Sequence, residues 1–313
     1  MIALIVKRLI ATAFVMAFVA FFVFGLLHMA PGDPAAIIAG DLATKEDIDR
    51  IRAALGLDLP FHTQFLNWLG AIMHGNLGTS IFSGRPVSQL ILQRVEPTLA
   101  LSTTTILLSV VVAIPLGIVA AWRAGSWIDR TMMGFAVLGF SVPVFVFAYL
   151  LIMVFAAQLK LVPVMGYVSP FDDLGGFLRA IALPTVALGV TYVALIARIT
   201  RASMLEAINQ DYIRTAHAKG LGIVPILFRH ALRNASVPIV TTVGIGIALL
   251  IGGVVVTESV FAIPGLGRLT ADSILRRDYP IVQGVILIFS GIYVLINLTI
   301  DIIYILVDPR IRY

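Results

Sequence analysis

The sequence predicts an all-α integral membrane protein with six transmembrane helices, and three observations carry that prediction. Of 313 residues, 59% are hydrophobic and 12% charged, whereas a soluble domain carries about a quarter charged residues. The charges are confined to a few stretches between long apolar runs, so the net +5 is not the basic, aromatic-interleaved stripe that binds nucleic acid. Six of those runs are long enough for a bilayer core of about 30 Å, which takes about 20 helical residues. The chain has no cysteine, which excludes a disulfide framework, a thiolate nucleophile and a Cys-based metal site.

The spans are expected at Leu9 to Ala30, Thr98 to Ala121, Thr131 to Ala157, Ala180 to Ala197, Ser236 to Thr257 and Pro280 to Val307. The first follows Lys7 and Arg8, as a secretory leader would. Its apolar run is longer than a leader's core and no small-x-small cleavage site precedes Pro31, so a retained span is expected. Basic residues stay on the cytoplasmic side. With the N-terminus inside, twelve of the 22 Lys and Arg fall in the inner segments 1–8, 122–130, 198–235 and 308–313. Their density there is roughly twice that of the outer segments, which places both termini in the cytoplasm.

The outer loop 31–97 is patterned as helix. Thr44 and Asp47 form a capping box, Ile48, Ile51 and Leu55 follow at helical spacing, and Gly56 is a natural stop. A second helix opens at Pro60 as its first residue, carries Phe61, Phe65, Trp68, Leu69 and Ile72 on one face, and ends at Gly75. These faces either pack on the outer ends of the membrane helices or also form a docking surface for an extracytoplasmic protein.

In the inner loop 198–235, Leu205, Ile208, Tyr212, Ile213 and Ala216 keep helical periodicity through a polar run. Gly220 and Gly222 interrupt it, and Pro225 starts a second helix through Leu232 toward the fifth span. The exposed side offers Arg214, His217, Lys219, Arg229, His230 and Arg233, a pattern that taken alone also suits a helix lying on anionic lipid.

The spans lack what a self-powered carrier needs. A secondary transporter places ionisable groups near the midplane, yet the spans contain only His28 near an outer end and Asp301 near an inner one. Asp301 is expected to bond a neighbouring helix or Asn297. There is no HExxH, GxSxG or Walker A sequence, and His28, His62, His74, His217 and His230 show no i, i+4 pair, so no metal or catalytic residue is expected. Pro115, Gly117, Gly139, Pro143, Pro184, Gly189, Gly244, Gly246, Gly252 and Gly253 suit either close helix packing or kinks for a moving bundle.

The run Asp211-Tyr212-Ile213-Arg214-Thr215-Ala216-His217-Ala218-Lys219-Gly220-Leu221, followed by Arg229 to Asn234 and Pro238, resembles the EAA loop of binding-protein-dependent ABC importer permeases, and more narrowly the dipeptide and oligopeptide family. The resemblance covers essentially the whole chain. It includes Ala30 to Pro34, Gly75-Asn76-Leu77-Gly78 with Ser80, Glu258-Ser259-Val260-Phe261 with Pro264-Gly265-Leu266-Gly267, Arg277-Asp278-Tyr279-Pro280, and Asp308-Pro309-Arg310.

The resemblance implies that the inner loop forms a cytoplasmic coupling helix seated in a groove of an ATPase. Arg214, Thr215, Ala216 and Gly220 match the motif's EAA and glycine positions, and with Asp211, Tyr212, Lys219 and Leu221 they are the expected coupling residues. Arg214 stands where the general motif has glutamate, and Gly220 and Pro238 are 18 residues apart; both departures are similar to the peptide subgroup. Phe65, Trp68, Gly75, Gly78, Glu258, Pro264, Gly265 and Gly267 are the candidate docking residues for a binding protein.

The chain is thus expected to be one permease domain, 1–313, with an extracytoplasmic loop at 31–97, core spans at 98–307 and the coupling loop at 198–235. Its implied setting is the bacterial inner membrane, with membrane lipid, a paralogous permease subunit, two cytoplasmic ATPase subunits and an extracytoplasmic substrate-binding protein as partners. ATP and Mg belong to the ATPase subunits, and no cofactor is expected here. Peptides or peptide-like solutes are the implied cargo; family members move dipeptides, oligopeptides, glutathione, opines or nickel, and the spans carry no chelating set for nickel. The competing class is a self-sufficient channel or carrier.

Overall fold

Long apolar runs leave the backbone no partner but itself in a bilayer, and helix is what the chain forms. A computed structural model describes residues 2–29, 33–40, 43–54 and 56–307, and these hold no β-strand beyond an isolated bridge between Thr79 and Pro86. The Ala30-Pro31-Gly32 and Asp308-Pro309-Arg310 motifs, Leu55, and the side chains of His28 and Asp301 lie outside the described residues. Among the described residues four helices are long and apolar enough to cross a membrane: Val87–Trp122, Leu174–Ile208, Ile223–Val260 and Tyr279–Ile300. A bent pair, Trp127–Ser141 with Val144–Gln158, passes the same test together, and Ile10–Gly25 is a shorter apolar stretch.

The elements are α1 (Ile2–Met29), α2 (Pro34–Ala39), α3 (Lys45–Ala54), α4 (Phe61–Met73), α5 (Val87–Trp122), α6 (Trp127–Ser141), α7 (Val144–Leu151), α8 (Leu174–Ile208), α9 (Asp211–Ala218), α10 (Ile223–Pro225), α11 (Leu232–Val260), α12 (Leu266–Arg276) and α13 (Tyr279–Val307). A π-helical turn, Ile152–Gln158, continues α7, and another, Ile226–Ala231, joins α10 to α11. They divide into two compact units, residues 1–94 with 269–294 and residues 95–268 with 295–313.

In the first unit α4 lies on α1. The Phe24 ring sits 5.3 Å from Phe61, 5.5 Å from Phe65 and 5.2 Å from Trp68, centroid to centroid. The apolar face of the outer loop therefore packs within the chain. Pro60 is the N-cap of α4 rather than its first residue, one position outside the expectation. The capping box forms as expected: the Asp47 amide donates to Thr44 Oγ1 at 3.3 Å and the Thr44 hydroxyl to Asp47 Oδ2 at 2.7 Å. That hydroxyl, with the Thr44 amide, holds the Asp47 carboxyl below its ordinary pKa. Phe24 is buried, so Phe24→Ala is expected to lower stability by about 3 kcal/mol. A thermal midpoint in detergent checks this.

The second unit is built on α8, packed against α6, α7 and α11 around Leu101, Leu188, Tyr192, Ile196, Leu250 and Val254. Small residues bring the backbones together. A Cβ on Gly117 would stand 2.8 Å from the Ala197 carbonyl oxygen, and one on Gly253 would stand 2.7 Å from Leu188 Cδ1.

Five readings of the sequence are corrected. The expected third span is not one straight helix: it breaks at Val142-Pro143 and turns by 103°. Proline has no N–H and drives the preceding residue out of the helical region, and Val142 is extended at φ −86°, ψ 124°. The helix of the second span, α5, begins at Val87, inside the expected outer loop, and that of the fourth, α8, runs to Ile208, past the expected membrane boundary. The helix expected from Pro225 starts at Ile223 and continues without a break into α11. Lastly, α12 occupies part of the connection between the fifth and sixth expected spans, where no helix was expected.

Candidate functional site

The inner loop reduces to a short helix held on a hydrophobic seat. In α9, Ile213 and Ala216 are buried in a cluster with Met204, Ile226, Leu227 and Ala231, contributed by α8 and the π turn before α11. Spacing of three residues puts both on one face. The other face carries Asp211, Tyr212, Arg214, Thr215, His217 and Lys219, all exposed. Tyr212 therefore does not join the apolar stripe expected for it; its hydroxyl accepts from Asn234 Nδ2 at 3.1 Å, which ties α9 to the start of α11. Arg214 reaches Asp211 at 3.4 Å, but both side chains are largely solvated, so the pair adds little. Both remain available to a partner.

Gly220 ends the helix for a definite reason. Its N–H donates to the His217 carbonyl at 2.9 Å and that of Leu221 donates to Ala216 at 3.3 Å, the two bonds of a Schellman stop. This stop needs a left-handed residue, and Gly220 has φ +78°. Leu221 packs back on the cluster beneath α9. Gly222, at φ −69°, is the N-cap of α10.

An ion pair braces the same unit. Asp129, on the first turn of α6, accepts from Arg201 Nη2 at 2.7 Å and from Nε at 2.5 Å, and also from the Gly125 N–H at 2.9 Å. Asp129 is 4% exposed. Sequence reasoning missed this pair, whose members stand 72 residues apart.

The motif residues between Glu258 and Gly267 form a hydrogen-bonded cluster. Glu258, in the last turn of α11, is fully buried; Oε1 accepts from the Thr98 hydroxyl at 2.5 Å and Oε2 from the Arg268 N–H at 2.9 Å. The Thr98 oxygen in turn accepts from the Leu266 N–H at 2.8 Å. Together they cap the first turn of α12, whose N–H groups have no helical partners. Gly265 and Gly267 are buried, and neither has room for a side chain: a Cβ on Gly265 would collide with the Glu258 carboxyl and one on Gly267 would stand 2.6 Å from Val255 Cα. Glu258, Gly265 and Gly267 are thus packed inside the chain, while Pro264 is exposed. Phe65 and Trp68 are half-buried against Phe24.

In the first unit two other motifs meet. Asp278 Oδ2 accepts from the Ser80 hydroxyl at 2.5 Å and Oδ1 from the Ile81 N–H at 3.1 Å. Gly78 lies close enough to Pro280 that a Cβ would come to 3.6 Å. Gly75, at φ +78°, closes α4 with the same kind of stop as Gly220. Among the described residues no group of three or more His, Asp or Glu side chains is arranged to hold a metal ion.

Residues 113–313 match the family described as binding-protein-dependent transport system inner membrane component, and residues 1–102 match the N-terminal region of such membrane components. The chain is 52% identical over 309 residues to a probable peptide ABC transporter permease protein of Sinorhizobium fredii, covering 99% of each. It is 44% identical over 313 residues to a putative peptide transport system permease protein of Brucella abortus, covering 100% of each, and 41% identical over 309 residues to the glutathione transport system permease protein GsiC of Escherichia coli, covering 99% of this chain and 98% of that one. Its fold is like that of a chain of the MetNI methionine ABC transporter in an inward-facing conformation, at TM-score 0.59 and 21% identity, covering 71% of this chain and 97% of the other. The chain belongs to the family of binding-protein-dependent transport system inner membrane components and is a multi-pass membrane permease of the ABC importer class, not itself an enzyme.

Proposed function

We propose that this chain is the permease subunit of a bacterial inner-membrane importer for peptides or peptide-like solutes, and that α9 is where work enters it. The substrate reading rests on the relatives, two of them named for peptides and one for glutathione, itself a small peptide. In this reading residues 1–313 act as one permease domain with six spans and both termini in the cytoplasm. The domain works with a paralogous permease, two ATPase subunits that hold ATP and Mg, and an extracytoplasmic binding protein.

The observation that carries the coupling role is the division of α9 into a buried side and a solvated one. Ile213 and Ala216 fix it to α8 and to the π turn before α11, while Asp211, Tyr212, Arg214, Thr215 and Lys219 face outward with Gly220 and Leu221 closing the turn. Force applied to the solvated side would pass through the packed cluster into two long apolar helices, as rigid-body motion.

The test uses the assembled transporter in liposomes with binding protein and cargo. Arg214→Glu reverses the charge on the exposed face, and Gly220→Pro removes the left-handed stop. Both variants are expected to assemble and hydrolyse ATP while uptake per ATP falls at least roughly tenfold, a loss of transmission worth about 1.4 kcal/mol or more. Uptake at the wild-type ratio in both would refute the role of α9. Accumulation driven by an ion gradient through the chain alone would overturn the importer reading itself.

A further inference from the structure

A cavity of about 650 Å³ opens among α5, α6, α7 and α8, wholly within the second unit. Its walls are apolar but for one threonine, with Leu116, Met133, Phe147, Val190 and Val193 among them. The one hydroxyl in the lining, Thr191, is turned to the Gly139 carbonyl at 3.4 Å. A cavity without free polar groups holds water poorly and gives a peptide's amides and charged ends no partners. A hydrocarbon chain suits it.

Length and charge narrow the occupant. Along α8 the wall runs from Val186 to Ala197, twelve residues separated by eleven rises of about 1.5 Å, or about 16 Å, which is the depth of one leaflet of a core about 30 Å thick. Its inner end is basic: Arg130 stands two residues before the lining residue Met132, and Arg198 directly follows Ala197. Both are exposed, as is Arg123, whose guanidinium lies 4.5 Å over the Trp122 ring. The carboxylate of this stretch, Asp129, is buried and matched by Arg201. Trp127 is 75% exposed beside Arg130, the position of an interfacial aromatic.

We propose that this groove is a lipid site that takes an acyl chain of an anionic phospholipid, with the phosphate held by Arg130 and Arg198. Assignment to the inner leaflet rests on the cytoplasmic placement of residues 122–130 proposed above. The assay below reads lipid retention instead of uptake, so its failure is distinct from failure of the importer reading.

The full chain is purified in mild detergent and mixed with equal amounts of phosphatidylglycerol and phosphatidylcholine bearing identical chains, and retained lipid is counted by native mass spectrometry. Phosphatidylglycerol is expected to be retained roughly tenfold over phosphatidylcholine, and the double variant Arg130→Gln, Arg198→Gln to lose that preference. Val193→Trp, which fills the groove, is expected to release both lipids. The arginines are exposed, so their variant keeps the test alive if the tryptophan variant does not fold. Equal retention of the two lipids by the wild type would overturn the proposal. So would retention unchanged in folded Val193→Trp, or a photo-crosslink to the second permease subunit of the assembled transporter from a benzophenone amino acid placed at Phe135, which would place protein in the groove.

Discussion

Replacing Asp129 with alanine is expected to lower the stability of the purified permease by about 3 to 5 kcal/mol, the loss seen when one partner of a buried ion pair is removed. The size follows from what is left behind. The Arg201 side chain is 27% exposed and directs two donors at the missing carboxylate, and the Gly125 N–H loses its acceptor as well. A partly desolvated guanidinium without a counter-charge is the costly product, not the lost contact itself. For the same reason the double variant Asp129→Leu, Arg201→Met, which removes both charges at similar volume, is expected to regain most of the loss. Arg201→Lys would keep the charge but not the two-pronged geometry and should fall between them. Thermal midpoints of the four proteins in one detergent give the ordering; a wild-type midpoint for Asp129→Ala would sink the account.

That pair also shows where sequence reading stops. Asp129 and Arg201 both lie in segments rich in inner-face charge, where each reads as a solvated residue that sets orientation. Nothing local records that a turn at Gly125 and the line of α8 bring them together. The Thr98 to Glu258 bond, across 160 residues, is hidden in the same way. What was legible was local chemistry: the capping box at Thr44 and Asp47, and the glycines at 56, 75 and 220, each one residue past the C-cap position of a helix. The break at Pro143 was missed for a different reason. Hydropathy averages over a window, and a proline flanked by apolar residues hardly lowers the average while it removes the N–H that would have continued the helix. Likewise α12 was missed because its charged residues hide a buried stripe of Leu266, Leu269 and Ser273. At the candidate site the coupling residues came from the motif resemblance, whereas the reason Ile213 and Ala216 belong to it, their seat on the cluster beneath α9, needed coordinates.

The Glu258 cluster yields the other large effect. Gly267→Ala is expected to cost more than about 3 kcal/mol and to leave little folded permease, because the atoms that meet the new Cβ belong to backbone that cannot rotate away: Val255 Cα at 2.6 Å and Val255 N at 2.9 Å. Glu258→Gln tests the same cluster without adding volume. It keeps the shape but turns one of two acceptors into a donor, facing either the Thr98 hydroxyl or the Arg268 N–H, and should cost about 2 kcal/mol. Thr98→Val should cost about as much, by removing the hydroxyl that donates to Glu258 and accepts from the Leu266 N–H. Because Glu258 and Thr98 share one bond, their combined loss should be smaller than the sum of the separate ones. Strict additivity would mean that they stabilise α12 independently, and a Gly267→Ala protein with the wild-type midpoint would mean that the approach of α12 to α11 is looser than 2.6 Å allows. If the expected ordering holds, the glycines and the glutamate of this motif serve to seat α12 against the last turns of α11, with Pro264 left exposed beside them.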